Sequence, residues 1–548
     1  MKLSPFLKNG SLILLVLSLC FCLVTFCRKA EALRPNIIFI MSDDHCARAI
    51  GAYASRLASL DPTPNIDKLA EEGMLFTHVF CTNSICTPSR ANIITGQYCQ
   101  TNGVLDLYSE LPGNKHFLPA EMKKAGYTTA VIGKWHLKNS PQNFDYYCVI
   151  PGQGRYYNPV MYTNKGGKRK KVRFDSTLER EVSVKEFEGH SSDVITDEAI
   201  AWLESRDKSK PFFLMHQYKA PHDMFVYAER YSNYLSEVDI PEPDNMYDQP
   251  GPNFGSVATR GENDSLVHVI GSSISRRGQR NYGRYYKVGE ELSDREFTHI
   301  CYQNYARDYL RCVKGVDDNI GRLMDYLREN ELLDHTIIVY TGDQGMMLGE
   351  HDYMDKRWMY DEAMRMPLIV RYPGMIQAGS RSDWLINNTD FAPTMLALAG
   401  AEAPEYMQGL DFSGALEGKP EPSNWRKGTY YRYWMHMAHG HNNPAHFGIR
   451  TRKYKLIFFY GSDFTNIHGG REVTKFNGNR YWVNTPVAWE FYDLEKDPGE
   501  MNNLYRDPEY QGVIAGLKKQ LKKSREELDE TDENYPGIAA IIEKHWND

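Results

Sequence analysis

Four apolar segments, each followed directly by polar residues, constrain the fold of this chain more than any other feature. A continuous run of β-branched and aromatic residues is typical of a strand buried on both faces, as in a parallel sheet covered by helices. Helical patterns such as TPNIDKLAEEGM and DDNIGRLMDYLRENELL lie between the segments. This alternation predicts a three-layer α/β/α domain with a large, mostly parallel sheet. The four segments are RPNIIFIMSDDH (34–45), YTTAVIGKWHL (127–137), PFFLMHQYKAPH (211–222) and HTIIVYTGDQG (335–345).

The C-terminal part of the chain follows a different pattern, which predicts a smaller α+β subdomain. GTYYRYWMHM, FGIRTRKYKLIFFY and AWEFYDLEKDPGEMNNL are typical of antiparallel strands, and VIAGLKKQLKKSREELDE predicts a closing helix. We therefore place a large domain at residues 33–420 and the subdomain with the antiparallel sheet at residues 421–548. Residues 150–190 are expected to form a hairpin at a Gly-Gly turn flanked by cations. Residues 240–290 are expected to form a long loop that borders a cleft.

The first 32 residues have the pattern of a secretory signal peptide. Two lysines precede an apolar run at residues 12–26, and AEA at residues 30–32 fits a small-residue cleavage site. The run is short for a membrane span. An uncleaved anchor and a lipid-modified cysteine among Cys20, Cys22 and Cys27 are the alternatives. We expect an exported protein that is periplasmic, secreted or associated with the cell surface.

The cysteine count points to one unusual residue. The chain has ten cysteines, and three of them fall in the predicted leader, which leaves seven. In an oxidising compartment an odd number leaves at least one cysteine unpaired or altered. Cys86 is the candidate, because it lies in CTPSR, where Pro88 fixes its own backbone and restricts Thr87 before it. Residues 91–95 favour a helix, and the other six cysteines could form disulfides of unassigned connectivity.

Oxygen-bearing side chains follow two of the predicted strands. Asp43 and Asp44 come directly after the first strand, and Asp343 and Gln344 come after the fourth. An acidic pair alone is more often a turn or a helix cap. Two such groups at strand ends, where α/β sheets bind their ligands, together predict a metal site. Oxygen ligands suit Ca²⁺ or, as second choice, Mg²⁺ rather than zinc.

Cationic side chains also flank the strand ends, although the chain as a whole has a net charge of −7 and a pI near 6.2. This balance gives no global basic field, so we expect no nucleic-acid partner. An anionic substrate would have to be met by local cations. Taken singly, each of these residues has a common structural role; together with a metal, they would stabilise charge on the oxygens of a tetrahedral ester. The residues are Arg90, Lys134, His136, Lys219, His222 and Lys356.

The order of these motifs resembles the type I, formylglycine-dependent sulfatases of the alkaline phosphatase superfamily, in particular exported bacterial enzymes that act on sulfated polysaccharides, including glycosaminoglycans. The family's C-x-P-S-R…T-G pattern is matched by residues 86–90 and 95–96, and SDDH, GKWHL, KAPH, GDQG and Lys356 stand in family order. The resemblance, which covers residues 34–505, implies that a maturation enzyme oxidises Cys86 to formylglycine, an aldehyde that hydrates to a diol. It also implies that the diol and four oxygen donors hold one Ca²⁺: Asp43, Asp44, Asp343 and Gln344. Gln344 departs from the family, in which Asn or His is frequent at this position.

The resemblance also implies roles for the cations. Lys134, Lys356 and His222 would contact the sulfate or the leaving oxygen, with His222 as general acid. Arg90 and His136 would orient the diol, and Lys219 would be no more than a neighbour of the site.

The resemblance to exported bacterial polysaccharide sulfatases implies that the substrate is a sulfated carbohydrate. The many tyrosines and the aromatic, histidine-rich residues 430–446 would suit stacking on sugar rings, although such side chains are as often packed in a core or a sheet. His446 and Arg450 are the predicted further substrate contacts. Three alternatives stay open: a phosphonate or phosphodiester hydrolase of the same superfamily, an aryl- or choline-sulfatase, and a non-catalytic protein that binds sulfated glycans.

Overall fold

The computed structural model describes residues 34–173, 179–247, 255–259, 273–275, 285–289, 291–463, 474–476, 479–480 and 484–548. The predicted signal peptide and most of the predicted loop at 240–290 lie outside these residues. Asn36–Asp548 form one compact unit, and Arg34 and Pro35 are the described residues of the other unit, Met1–Pro35. In the described part of the chain, no helix combines the length and the apolar character needed to cross a membrane.

Strands and helices alternate through the first 400 residues, as the sequence predicts. The strands are β1 (Asn36–Ser42), β2 (Met74–Phe76), β3 (Val79–Phe80), β4 (Thr128–Lys134), β5 (Tyr146–Ile150), β6 (Val160–Thr163), β7 (Lys168–Arg173), β8 (Glu179–Glu186), β9 (Phe212–Tyr218), β10 (Thr336–Gly342), β11 (Met347–Leu348), β12 (Met354–Asp355), β13 (Leu368–Arg371), β14 (Ser380–Ser382) and β15 (Ile386–Asn387). The helices are α1 (Pro64–Glu71), α2 (Cys86–Thr95), α3 (Cys99–Asn102), α4 (Phe117–Lys124), α5 (Ser191–Ser205), α6 (Asp294–Glu329), α7 (Asp361–Met364) and α8 (Phe391–Leu398).

An eleven-stranded sheet has the order β14-β2-β13-β10-β1-β9-β4-β5-β6-β8-β7. Its central strands β10, β1, β9, β4 and β5 run parallel to one another, and one antiparallel strand flanks this group on each side, β13 beside β10 and β6 beside β5. The four apolar segments are therefore β1, β4, β9 and β10, at the centre of the sheet. The predicted sheet with a parallel centre is confirmed.

Helices cover both faces of this sheet, which confirms the three layers. Along β1, Ile37, Phe39 and Met41 pack into one apolar core, whereas Ile38 and Ile40 pack into the other. The first core contains apolar side chains of α2, α4 and α8, and the second contains those of α1, α5 and α6. Because successive side chains of a strand point to opposite faces, a strand between two cores must be apolar at every position.

The predicted C-terminal antiparallel sheet is also confirmed. It follows helix α9 (Ser413–Leu416) and contains β16 (Thr429–Tyr433), β17 (His446–Arg450), β18 (Tyr454–Phe459) and, after the short pair β19 (Thr474–Phe476) and β20 (Asn479–Arg480), β21 (Ala488–Asp493). The predicted closing helix is α10 (Gln511–Glu527), and α11 (Pro536–His545), which the sequence analysis did not predict, follows it. Both helices pack on this sheet through Ile514, Leu517, Leu521 and Ile538.

Two local expectations are corrected. The Gly-Gly turn joins β6 to β7, but β8 lies between these two strands, so the turn does not form a hairpin. Val182 and Val184 give β8 the apolar face needed beside β6, while the exposed cations of β7 suit the sheet edge. None of the seven cysteines beyond the predicted leader, all of which the structure describes, forms a disulfide; each is a buried thiol.

Candidate active site

The structure places the predicted site residues together at the carboxyl edge of the parallel strands. Ser42 of β1 pairs with Gly342 of β10, so the residues that follow the two strands are neighbours in space. Asp43 and Asp44 follow β1 and Asp343 follows β10, while Lys134 is the last residue of β4. All four side chains are fully buried. This edge is the position at which open α/β sheets bind ligands.

Three carboxylates converge closely enough to share one cation. Oxygen atoms of Asp43, Asp44 and Asp343 lie within 4.8 Å of one another, and the backbone N–H of Asp44 donates to Asp343 Oδ1 at 3.0 Å. Gln344 Nε2 contacts Asp44 Oδ1, and Gln344 Oε1 is buried without a hydrogen-bond partner among the described residues. A buried oxygen acceptor beside converging carboxylates fits the ligand set of a hard divalent cation.

Cys86 lies directly against these carboxylates. It is the first residue of α2, which therefore begins five residues earlier than the sequence predicts, because a proline in the first turn is compatible with a helix. Its Sγ donates to Asp43 Oδ1 at 3.3 Å and lies 3.9 Å from Gln344 Nε2. Burial raises the pKa of this thiol to about 12. An unmodified Cys86 is therefore protonated at neutral pH, which makes it a poor nucleophile.

Three cations balance the carboxylates. Arg90 Nε donates to Asp343 Oδ2 at 2.9 Å, and Arg90 Nη1 donates to the carbonyl of Lys134 at 2.8 Å. Lys134 Nζ contacts Asp43, and Lys356 Nζ contacts both oxygens of Asp44. Against the effect of burial, Arg90 and Lys134 hold the pKa of Asp343 below its ordinary value. The site is thus a buried set of opposite charges, in which electrostatic interactions are stronger than in water.

His222 faces the same cluster. Its Nδ1 lies 2.8 Å from Asp223 Oδ1, and its Nε2 lies 3.8 Å from Asp44 Oδ2. Because Asp223 occupies Nδ1, the other ring nitrogen is directed at the carboxylates. Burial, with Lys134 and Lys356 nearby, lowers the pKa of His222 to about 3.

His136 and Lys219 border the cluster. His136 is buried in a left-handed backbone conformation with φ of 56°, and burial and Lys134 lower its pKa well below the ordinary value. Lys219 Nζ lies 4.5 Å from the ring centroid of Tyr156, and burial lowers its pKa to about 8. Asp44 and Cys86 are among the groups that oppose this lowering, so Lys219 is a neighbour of the cluster.

Comparison with known proteins identifies the family. The family profile described as Sulfatase matches residues 35–401, more than half of the chain. This chain belongs to the sulfatase family. A second profile, described as N-sulphoglucosamine sulphohydrolase, C-terminal, matches residues 349–468 and 463–527 of the sulfatase. The enzyme is thus a sulfuric ester hydrolase, and the non-catalytic alternative is excluded.

Similar proteins cover nearly the whole sulfatase. An N-acetylglucosamine-6-O-sulfatase from Bacteroides thetaiotaomicron is 37% identical over 93% of this chain and 88% of its own length. A solved structure of a protein in complex with its substrate D-glucosamine-2-N,6-O-disulfate is 35% identical, with a TM-score of 0.76 over 91% of this chain and 99% of that one. An arylsulfatase from Clostridium perfringens is 24% identical over 92% of this chain and 96% of its own length.

A second charged group adjoins Lys356, and the sequence analysis missed it. His441 Nδ1 lies 2.7 Å from Asp355 Oδ2, and Arg357 Nε lies 3.6 Å from the same oxygen. Asp355 Oδ1 is 3.8 Å from Lys356 Nζ, which links this group to the carboxylate cluster. We call Asp355, Arg357 and His441 the charged triad. One feature of the sequence could have revealed this group: Asp355 and Arg357 are the direct neighbours of Lys356, which the sequence analysis had already placed in the site.

The structure corrects the predicted substrate contacts at His446 and Arg450. The ring of His446 is fully buried between Trp358, Tyr431 and Phe459. Arg450 is 2% exposed, and its Nε and Nη2 donate to Asp361 at 3.1 and 3.0 Å. Both side chains lie on β17, inside the packing between the C-terminal sheet and the larger domain, so they stabilise the fold rather than contact substrate.

Arg450→Met is therefore expected to destabilise the sulfatase by about 3 kcal/mol while leaving kcat/KM within about twofold, because it removes one partner from a buried ion pair. Among the described residues, Asp361 would keep Lys455 and Arg365 as cationic partners. Urea unfolding measures the stability, and sulfate release at urea concentrations below the unfolding transition measures the activity. Arg452→Met, at a side chain 39% exposed, is the matched control and should change stability by less than about 0.5 kcal/mol. A large loss of kcat/KM at unchanged stability would restore Arg450 as a substrate contact.

Proposed function

We propose that this sulfatase hydrolyses sulfate esters at O6 of glucosamine residues in sulfated carbohydrates. The observation that carries the proposal is the similarity, over nearly the full length, to an N-acetylglucosamine-6-O-sulfatase and to a structure that holds D-glucosamine-2-N,6-O-disulfate. The charged triad beside Lys356 supports a polar substrate, since a carboxylate and two donors suit the hydroxyl groups of a sugar.

We also propose that Cys86 is converted to formylglycine and that Asp43, Asp44, Asp343 and Gln344 hold one Ca²⁺. The position of Cys86 in CTPSR, with its Sγ 3.3 Å from Asp43 Oδ1, supports the conversion, and the converging oxygens support the ion. When both groups are present, they supply a hydrated aldehyde whose hydroxyl is acidified enough to attack sulfur.

The residues of the chain account for the other requirements of the reaction. Lys134 and Lys356 lie against Asp43 and Asp44, so they flank the site from two strand ends and would bind the sulfate oxygens. His222 would be the general acid, with Nδ1 fixed by Asp223. Burial, Lys134 and Lys356 keep the ring of the free enzyme neutral, and the negative charge of a bound sulfate ester would offset the two lysines and so allow Nε2 to carry the proton given to the leaving oxygen. Arg90 orients Asp343, and the burial of the cluster excludes water.

Maturation and export complete the proposal. Every residue of α2 is buried, so a maturation enzyme that reads CTPSR would have to act before the chain folds. The predicted leader at residues 1–32 supports delivery to an oxidising compartment, where the processed enzyme would meet extracellular glycans.

A panel of sulfated sugars tests the substrate directly. We expect sulfate release from N-acetylglucosamine-6-sulfate at a kcat/KM at least about 100-fold above that for the 3- and 4-sulfated isomers, because a site that hydrogen-bonds specific hydroxyls rejects misplaced ones. The enzyme should be coexpressed with a maturation enzyme and assayed by sulfate-specific detection. A nitrophenyl phosphodiester in the same panel tests the alternative hydrolase. Preference for that ester, or equal rates on all isomers, would contradict the proposal.

His441→Ala tests the charged triad. We expect kcat/KM on the sugar sulfate to fall at least about tenfold, because a charge-assisted hydrogen bond is lost. The rate on nitrophenyl sulfate, which lacks sugar hydroxyls, should stay within about threefold on the same basis. Equal losses on both substrates would show instead that His441 supports Lys356 through Asp355.

A further inference from the structure

Two exposed aromatic rings contact each other close to the charged triad. Tyr108 is 53% exposed, and His439 is also exposed. Their ring centroids lie 5.2 Å apart at an interplanar angle of 73°, and Tyr108 Oη lies 2.5 Å from His439 Nε2. Tyr108 follows α3, whereas His439 lies between β16 and β17, so the pair joins two distant parts of the chain. We call Tyr108 and His439 the rim pair.

The backbone on both sides of the rim pair is fixed. Asp106 is 5% exposed, and its Oδ1 accepts from the backbone N–H groups of Tyr108 and Ser109 at 2.9 and 2.7 Å. On the other side, Met437, His439 and Asn442 are left-handed, with φ of 52°, 59° and 55°. Such conformations are costly for residues other than glycine and are concentrated at ligand-binding positions. A backbone hydrogen bond from the N–H of Met437 to the carbonyl of Asn443 at 2.9 Å closes the loop that carries His439, so both rings are carried by hydrogen-bonded backbone.

The rim pair is continuous with the proposed sugar site. His441, two residues beyond His439, pairs with Asp355 of the charged triad at 2.7 Å. Two residues span at most about 7 Å of chain, so the exposed His439 lies within about this distance of His441, on the solvent side of the triad. Arg357 of the triad also acts on Tyr108, since it opposes the rise in the pKa of Tyr108 caused by burial and Asp106. A ligand that occupies the triad and extends toward solvent would therefore reach the rim pair.

We propose that Tyr108 and His439 form a subsite for the sugar residue next to the sulfated one. This inference rests on the proposed function and adds that the enzyme recognises a carbohydrate chain rather than a single sugar. Rings with a polar tip suit an amphipathic ligand such as a sugar, which presents C–H groups to a ring face and hydroxyls to its edge. Two rings make too small a surface for a stable protein interface, which buries about 800 Å² on each partner.

The test compares one sulfated monosaccharide with an oligosaccharide that carries the same sulfated residue. N-acetylglucosamine-6-sulfate and a tetrasaccharide ending in that residue are assayed for kcat/KM on the same mature enzyme. The wild type should prefer the tetrasaccharide. Tyr108→Ala should lower kcat/KM on the tetrasaccharide about fivefold more than on the monosaccharide, as expected for loss of one aromatic contact. Tyr108→Phe, which keeps the ring, should retain most of the preference.

Tyr406→Ala is the matched control. Tyr406 is 41% exposed and donates to Glu121 of α4, away from the carboxyl edge of the sheet, so its loss should leave both rates unchanged. If Tyr108→Ala lowered kcat/KM equally on the two substrates, so that the ratio of the two values stayed as in the wild type, the subsite would be overturned while the proposed function stayed in place. Failure of the wild type to release sulfate from either sugar would overturn the proposed function and, with it, this inference.

Discussion

Cys86→Ala is expected to abolish sulfate release, with a loss of at least about 10⁴-fold in kcat, because removing a nucleophile leaves only binding and electrostatic stabilisation. The residue lies at the start of α2 with its side chain directed at Asp43 and Gln344. Alanine removes one buried atom from a position 1% exposed, so the fold should persist with a stability loss of about 1 kcal/mol. Sulfate release and thermal unfolding measure the two effects on the same preparation.

Cys86→Ser is the matched control, since it keeps a side-chain oxygen at this position but cannot become the hydrated aldehyde. It should be as inactive in turnover as the alanine variant. Peptide mass spectrometry over residues 70–100 of the wild type should show that one oxygen has replaced the sulfur and two hydrogens of Cys86. Full activity in a preparation that retains the thiol would refute the proposed modification.

Asp343→Asn should have the second largest effect, a loss of about 10³-fold or more in kcat, because the developing charge would no longer be balanced by a correctly held ion. Asp343 donates no proton here; it accepts from Arg90 and from the backbone of Asp44. An ion that binds only the native state also stabilises it. Added Ca²⁺ should therefore raise the Tm of chelator-treated wild type, and it should raise the Tm of Asp343→Asn much less.

Asp308→Asn provides a matched control for Asp343→Asn. Asp308 is a buried aspartate that pairs with Arg311 at 3.3 Å, outside the carboxylate cluster. The substitution should leave both the Ca²⁺-dependent rise in Tm and the activity close to wild type. If the Tm of the wild type were independent of Ca²⁺, the proposed ion would be wrong even if the enzyme were active.

The centre of the fold was predictable because each central strand is apolar throughout and ends in polar residues. The same feature located Asp43, Asp343 and Lys134, since parallel strands bring their carboxyl ends to one edge. Sequence reasoning failed where a residue's role depends on a distant partner. Arg450 was taken for a substrate contact because nothing local reveals that Asp361, 89 residues away, occupies its guanidinium.

The charged triad and the strand order were missed for the same reason. Asp355 and His441 are 86 positions apart, and their pairing depends on how the loop before β17 returns to the larger domain. The Gly-Gly turn predicted a hairpin because strands adjacent in sequence usually pair. Strand β8 has the apolar face that packs beside β6, whereas β7 is rich in cations, and this difference places β8 rather than β7 next to β6.

The burial of all seven cysteines beyond the predicted leader has a practical consequence for spectroscopy. Reagents for thiolates require an accessible, ionised sulfur, and burial raises the pKa of Cys46 to about 11 and of Cys99 to about 12. A single cysteine introduced at an exposed position of the mature chain would thus be the one reactive handle of the folded enzyme. A dye attached there would report on glycan binding without prior removal of the native cysteines, and reaction of the native thiols would itself signal unfolding.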